Sequence, residues 1–233
     1  MTHWESWHAF YASDLQSPWL LLVAPALFII WRAVARSRGT GTTPERAGFV
    51  AAWCIGFAFA TLLDPLATGP WVDALGLTGF AAQAVMLLFV LLGDFRIWWL
   101  VFHTAQPDGS AIRRALVPTL VIPIGAYAAF TLLEALAVGP PGQILWLIHE
   151  TSFLVAALWL RANWLPRSVT DPSLRAFLSA VLLYSAAYYF LWASADVMIL
   201  AGVDTGWGLR VVPNQLYYSL CVPFVWWRFF AAR

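Results

Sequence analysis

The chain has 233 residues, of which 61% are hydrophobic and 11% charged, with a mean hydropathy of +0.73 and a formal net charge of +1. No soluble domain of this size could clothe its surface from that composition. The expected class is all-α and polytopic, with the bilayer and a small lipid molecule as partners and no nucleic acid.

In chain order, the first 17 residues, "MTHWESWHAFYASDLQS", have neither a basic n-region nor a cleavage site, so no signal peptide is expected. Trp4, Trp7, Phe10 and Tyr11 point instead to a short amphipathic helix at the interface over 1–17. Residues 18–233 then form one transmembrane domain. Runs of about 18 or more apolar residues, enough to cross about 30 Å of hydrocarbon, fall at 18–36, 47–66, 78–102, 113–137, 143–161, 174–201 and 209–231. The expectation is a seven-transmembrane-helix bundle.

Arginine sets its direction, because basic loops stay cytoplasmic. Arg32, Arg36, Arg38 and Arg46 flank the first loop, Arg113 and Arg114 the third, Arg161, Arg167 and Arg175 the fifth, and Arg228 and Arg233 the C-terminus. Only Arg210 falls on the other side. The N-terminus is expected outside and the C-terminus in the cytoplasm. The chain contains no lysine, so a retinal Schiff base is chemically excluded. The connecting segments, such as "ARSRGTGTTPER" and "VGPPGQ", are rich in turn formers. No internal repeat of the kind found in inverted-half transporters stands out. Cys54 and Cys221 both fall inside predicted spans and indicate neither a disulfide framework nor a metal cluster.

Ionisable groups at membrane depth are costly unless paired or lining a polar cavity. Threading the spans in alternation puts Asp64, Glu134, His149, Glu150, Asp196, Asn214 and Gln215 in one outer third. Helical spacing gives each acid aromatic company. Asp64 continues Trp53, Phe57 and Thr61; Glu134 continues Tyr127, Phe130 and Thr131; Glu150 stands between Trp146 and Phe153 or Leu154. Asp196 ends a line of Tyr184, Tyr188 and Trp192, and Asn214 is followed by Tyr217 and Tyr218. The pattern predicts a chamber walled by rings, with Glu150, Asp196 and Asn214 on one cavity. The plainer alternative is that acids near helix ends simply reach headgroup water. Asp94 and Arg96 lie on nearly opposite faces of the third span; Arg96 is expected to snorkel inward, and Asp94 to lock helices or floor the chamber. Trp98, Trp99, Trp226 and Trp227 fit an aromatic belt at the inner ends.

A carboxylic acid held in apolar surroundings can serve as a general acid, and aromatic faces stabilise a cation in a dry cavity. That combination suits protonation of an alkene or epoxide in a lipid. No cofactor and no metal are expected, since no two histidines have ligand spacing and only His149 and His103 lie at depth. No nucleophile elbow surrounds Ser152, Ser194 or Ser219.

The seven spans, the acid in "LLEALAVGP" and the closing "NQLYYSLCVPFVWW" make the chain resemble the integral-membrane terpene cyclases of meroterpenoid pathways. That family carries an acid after a tryptophan in span two and an aspartate early in span seven; the corresponding positions here are Cys54, after Trp53, and Gln215. A fainter similarity, through "LLGD" at Asp94 and "SAD" at Asp196, is to lysoplasmalogenases. Both resemblances imply acid chemistry on a lipid. The residues expected to carry it are Glu150, Asp196 and His149, with Asp64, Glu134, Trp146, Tyr188, Trp192, Asn214, Gln215 and Tyr218 contacting an isoprenoid or other lipid substrate. Two other classes use the same residues: a non-catalytic receptor, pigment or quinone binder or complex subunit, and a proton-coupled or cation transporter.

Overall fold

The computed structural model describes residues 6–13, 15–16, 20–34, 44–136 and 141–231, and no strand occurs among them. The helices are α1 (Trp7–Tyr11), α2 (Leu20–Val34), α3 (Pro44–Ala67), α4 (Pro70–Ala74), α5 (Gly79–Ala105), α6 (Ala111–Leu136), α7 (Gln143–Trp159), α8 (Leu165–Ser168), α9 (Pro172–Leu200), α10 (Thr205–Asn214) and α11 (Cys221–Trp226). Wide π-type turns at Leu160–Trp164, Gln215–Leu220 and Trp227–Ala231 continue α7 into α8 and α10 into α11 and beyond. Five stretches are long and apolar enough to cross a membrane: Glu45–Ala67, Gly79–Ala105, Ala111–Leu136, Gln143–Ser168 and Pro172–Leu200. Leu20–Arg32 is apolar but shorter, and the predicted last span is helical with interruptions.

Local chemistry explains the boundaries. Asp171 caps α9 by accepting from Ser173 N at 2.9 Å and Leu174 N at 3.4 Å, with Pro172 in the first turn, where its missing N–H costs nothing. At the other end Gly202 adopts φ 76° and its N–H reaches Ile199 O at 2.9 Å, a reversal that favours glycine and turns α10 back onto α9. Gly206 permits the close contact that follows: a Cβ there would meet Ala195 O at 2.9 Å. Pro223 cannot donate to the Ser219 carbonyl as an α-helix requires, and the backbone widens in the turn just before it.

The helices close into a ring. α2 packs on α3, α3 on α5, α5 on α6, α6 on α7, α7 on α9 and α9 on α10, while the C-terminal run returns to α2 and α3. α5 also touches α9 across the middle. The core is aromatic, with Phe153 stacked between Trp98 and Tyr189 at 5.8 and 5.1 Å.

Two sequence expectations change here. Trp98 and Trp226 are buried in the bundle and only Trp227 of that belt is strongly exposed, because the inward face of each helix carries rings as large as its lipid face. Arg96 does not snorkel: it is 2% exposed and donates to Thr61 Oγ1 at 3.3 Å and to Tyr217 O, with its guanidinium 4.3 Å over the Tyr217 ring. The N-terminal segment, whose Trp4 lies outside the described residues, docks on protein. Trp7 N and His8 N donate to the Asp204 carboxylate at 2.7 and 3.2 Å, and Trp207 packs against His8 and Tyr11.

Candidate functional site

A chamber of about 480 Å³ lies between the C-terminal end of α3, the middle of α5, the first two turns of α7, the C-terminal half of α9 and α10. That volume is within the usual range of small-molecule sites. α1 contributes Tyr11 to its wall, and Gln16 and Leu21 follow from the next turn and α2.

α7 supplies the catalytic-looking side. Gln143, Trp146, His149 and Glu150 share the face that helical spacing of three, four and seven residues brings together, and all four line the chamber. His149 and Glu150 point about 100° apart and take different partners. His149 Nε2 lies 3.3 Å from Asp94 Oδ2 of α5, whose Oδ1 accepts a short bond from the Tyr189 hydroxyl at 2.5 Å and lies 3.5 Å from that of Tyr217. Glu150 Oε1 lies 3.4 Å from Arg210 Nη2 of α10, while Arg210 Nη1 donates to Asp196 Oδ1. Gln143 Nε2 donates to the same Asp196 oxygen at 2.6 Å.

Arg210 thus bridges the two acids, Glu150 through Oε1 and Asp196 through Oδ1. Their outer oxygens, Glu150 Oε2 and Asp196 Oδ2, are buried and receive no donor among the described residues. One guanidinium therefore bridges two buried acids, each with an oxygen left without a donor among the described residues.

The opposite wall is aromatic and amide. Trp192 Nε1 donates to Asn214 Oδ1 at 2.9 Å, and Asn214 Nδ2 lies 3.3 Å from the Tyr11 hydroxyl. Tyr217 and Tyr218 project from the π turn between α10 and α11, and Tyr217 fills the space a side chain at Gly93 would need. Asp64 and Thr68 close the α3 side.

Of the expected site residues, the chamber is lined by Asp64, Trp146, His149, Glu150, Trp192, Asn214 and Tyr218. Asp196 stands directly behind them, fully buried, on Arg210 and Gln143. Tyr188 is buried deeper, packed on Tyr189, Trp192 and Tyr217. Two fall elsewhere. Glu134 is exposed near the end of α6, a helix whose buried residues Ala111, Ala115, Thr119 and Ala126 all lie earlier in the chain. Gln215 turns toward Ser219, whose Oγ donates to it at 2.9 Å, because the π turn rotates it off the Asn214 face.

Sequence reasoning did not anticipate Arg210, Gln143, Tyr189 and Tyr11 as site residues. Arg210 had a signal: it is the one arginine on the side the charge bias disfavours, one turn before Asn214. Gln143 lies two turns before Glu150 on the same face. Tyr11 had none, because its place depends on the Asp204 tether 197 residues away from Trp7. Among the described residues no three His, Cys, Asp or Glu side chains group as a metal site requires. Comparison with protein-family models, curated proteins and solved structures returns no match.

Proposed function

We propose that this chain is an integral protein of the cell membrane, and that it uses the Glu150–Asp196 pair as a general acid on an isoprenoid or other neutral lipid. The five long apolar helices, the apolar Leu20–Val34 and the helical run 205–231 make up seven crossings, with the arginine-rich loops on the cytoplasmic side. The single observation that carries the catalytic reading is a pair of buried acids bridged by one guanidinium, each with an oxygen that has no donor among the described residues, beside a cavity walled by rings. A proton carried on one of those oxygens is transferable to an alkene or epoxide without bringing water into the site.

The arrangement also supplies what the reaction needs next. Protonation leaves positive charge on the substrate, and Trp146, Trp192, Tyr217 and Tyr218 present faces that stabilise it. Asp94 holds His149 in place as the acceptor of a proton lost later from the substrate, so acid and base sit next to each other on α7 but are served by different helices. Asp64 and Asn214 complete the substrate contacts.

The test is turnover in lipid nanodiscs, with a panel of isoprenoid alkenes, isoprenoid epoxides and lysolipids read by mass spectrometry in H2O and D2O. The expected product gains one solvent deuterium. Glu150→Gln keeps size and hydrogen bonding but removes the proton, and should lower turnover by about 10² to 10⁴ with melting close to the parent. A Glu150→Gln protein that retains full turnover would falsify the assignment.

A further inference from the structure

A second, smaller cavity of about 20 Å³ lies beneath the chamber, room for about one water. Thr61, Asp64, Gly93, Arg96, Tyr217 and Tyr218 line it, and Asp64, Tyr217 and Tyr218 line the chamber as well. Arg96 presents a permanent charge there, because a guanidinium does not deprotonate in proteins. Among the described residues no carboxylate lies within 4 Å of it, and its Nε is buried without a partner. A lone cation at that depth calls for a counter-charge.

Asp64 is placed to supply one. It lies one turn beyond Thr61, which already holds Arg96 Nη1, and it lines the inner cavity together with Arg96. Its own carboxylate is poorly served: Oδ1 accepts a long contact from Thr68 Oγ1 at 3.5 Å, and no cation is within 4 Å among the described residues. Asp64 thus stands between two claims, Arg96 below and the chamber above. The chamber itself is short of positive charge. Asp64, Asp94 and Glu150 line it, with Asp196 behind, against Arg210 and the imidazole of His149. Glu150 Oε2, on a residue 3% exposed, has no hydrogen-bond donor among the described residues.

We propose that the chamber binds a monovalent organic ammonium ion at Asp64, and that Arg96 competes with that ion for the Asp64 carboxylate across the inner cavity. Tyr217 and Tyr218 line the inner cavity with Asp64, and Tyr11 joins them on the chamber wall; such rings favour an alkylated ammonium over a hydrated alkali ion, since ring faces replace water poorly around small ions and well around methyl groups. Occupancy of the chamber is then sensed by the α3–α5 contact through the release of Arg96. This inference does not depend on the acid reaction.

The experiment titrates the full-length protein in nanodiscs with tetramethylammonium, and separately with sodium and potassium, reading tryptophan fluorescence and melting temperature. Binding of tetramethylammonium at least about tenfold tighter than either alkali ion is expected. Asp64→Asn should weaken it at least about tenfold, Arg96→Gln should tighten it by a similar factor, and the double variant should behave as Asp64→Asn. Should Arg96→Gln fail to fold, difference infrared spectra of the parent decide. Tetramethylammonium should shift both a carboxylate and a guanidinium band, and neither shift should occur in Asp64→Asn. Unchanged affinity in Asp64→Asn, an Arg96→Gln protein that binds no tighter than the parent, a silent guanidinium band, or a preference for alkali ions would each overturn the proposal. Turnover is not read, so failure to find a substrate leaves this result standing, and a failed titration leaves the Glu150 assignment untouched.

Discussion

α6 and α9 are similar in length, 26 and 29 residues, and both are apolar enough to cross a membrane, yet they occupy opposite extremes of the bundle. The more hydrophobic of the two, α6 with a mean hydropathy of 1.9, has 11% of its most apolar window buried; α9, at 1.5, has 50%. In a bilayer this inversion is expected. Hydrocarbon tails are as apolar as leucine, so the hydrophobic effect does not choose which face turns inward. Shape, ring packing and hydrogen bonds choose it. α6 meets the bundle through Ala111, Ala115, Thr119 and Ala126, and leaves Val117, Val121 and Ile124 outward. α9 instead turns Tyr188, Tyr189, Trp192 and Asp196 into the core and the chamber.

The largest expected difference is electrostatic. Arg210→Gln removes the cation that binds Asp196 of α9 to Glu150, and leaving buried acids unpaired should cost about 3–5 kcal/mol, read as a fall in melting temperature in nanodiscs. Glu134→Gln on the exposed face of α6 should stay within about 0.5 kcal/mol. Comparable losses in the two variants would mean that α6 packs against something that covers Glu134.

Volume should separate them next. Leu182 of α9 is fully buried, and Leu182→Ala should cost about 2–5 kcal/mol through the cavity it leaves. Leu120 of α6 is 43% exposed, and Leu120→Ala should cost under about 1 kcal/mol because lipid fills the gap. Chemical denaturation of both in the same detergent checks the ratio.

The glycines then differ in sign. A methyl at Gly206 strikes the α9 backbone at Ala195 O, so Gly206→Ala should destabilise by about 1–3 kcal/mol. Nothing stands within 4 Å of the corresponding point at Gly125 of α6, and Gly125→Ala should raise stability by up to about 1 kcal/mol. A destabilised Gly125→Ala would show that α6 has a neighbour at its midpoint.

The smallest effect lies in the loop before α6. Asp108 accepts from Ser110 N at 3.0 Å, from Ser110 Oγ at 2.7 Å and from Arg114 Nη2 at 2.7 Å, and these bonds, led by the Ser110 hydroxyl, hold its carboxyl below the ordinary range. Because the folded value lies below the unfolded one, the contribution is complete above about pH 4 and disappears as pH falls through the folded value. Asp108→Asn should therefore flatten the acid end of the melting curve slightly. Exposure and salt screening keep the change small, and 1 M salt should remove most of it.

How much was legible beforehand follows from the same physics. Hydropathy and turn residues located the helices, with ends within a few residues, because length and apolarity are properties of one segment at a time. Helical spacing put Trp146 and Glu150 on one face of α7 for the same reason. The pairing of His149 with Asp94 and of Glu150 with Arg210 was not legible. Each joins segments more than 50 residues apart, and two neighbours 100° apart on a helix are divided by what surrounds it. Glu134 was misplaced because its aromatic stripe has the same spacing whether it faces protein or lipid.

The sequence by itself determined that this is a helical chain of bilayer composition with acids and rings near a common end of its helices, since those properties are sums over local residues. Only the tertiary structure decided which acids meet. The ring order of the helices, the Gly206 contact that seats α10 on α9, the Gly93 notch that receives Tyr217 and the Asp204 tether that brings Tyr11 over the chamber are all contacts between distant segments. In a medium where apolar faces gain nothing by turning inward, such contacts, and not hydropathy, select the inside of the protein.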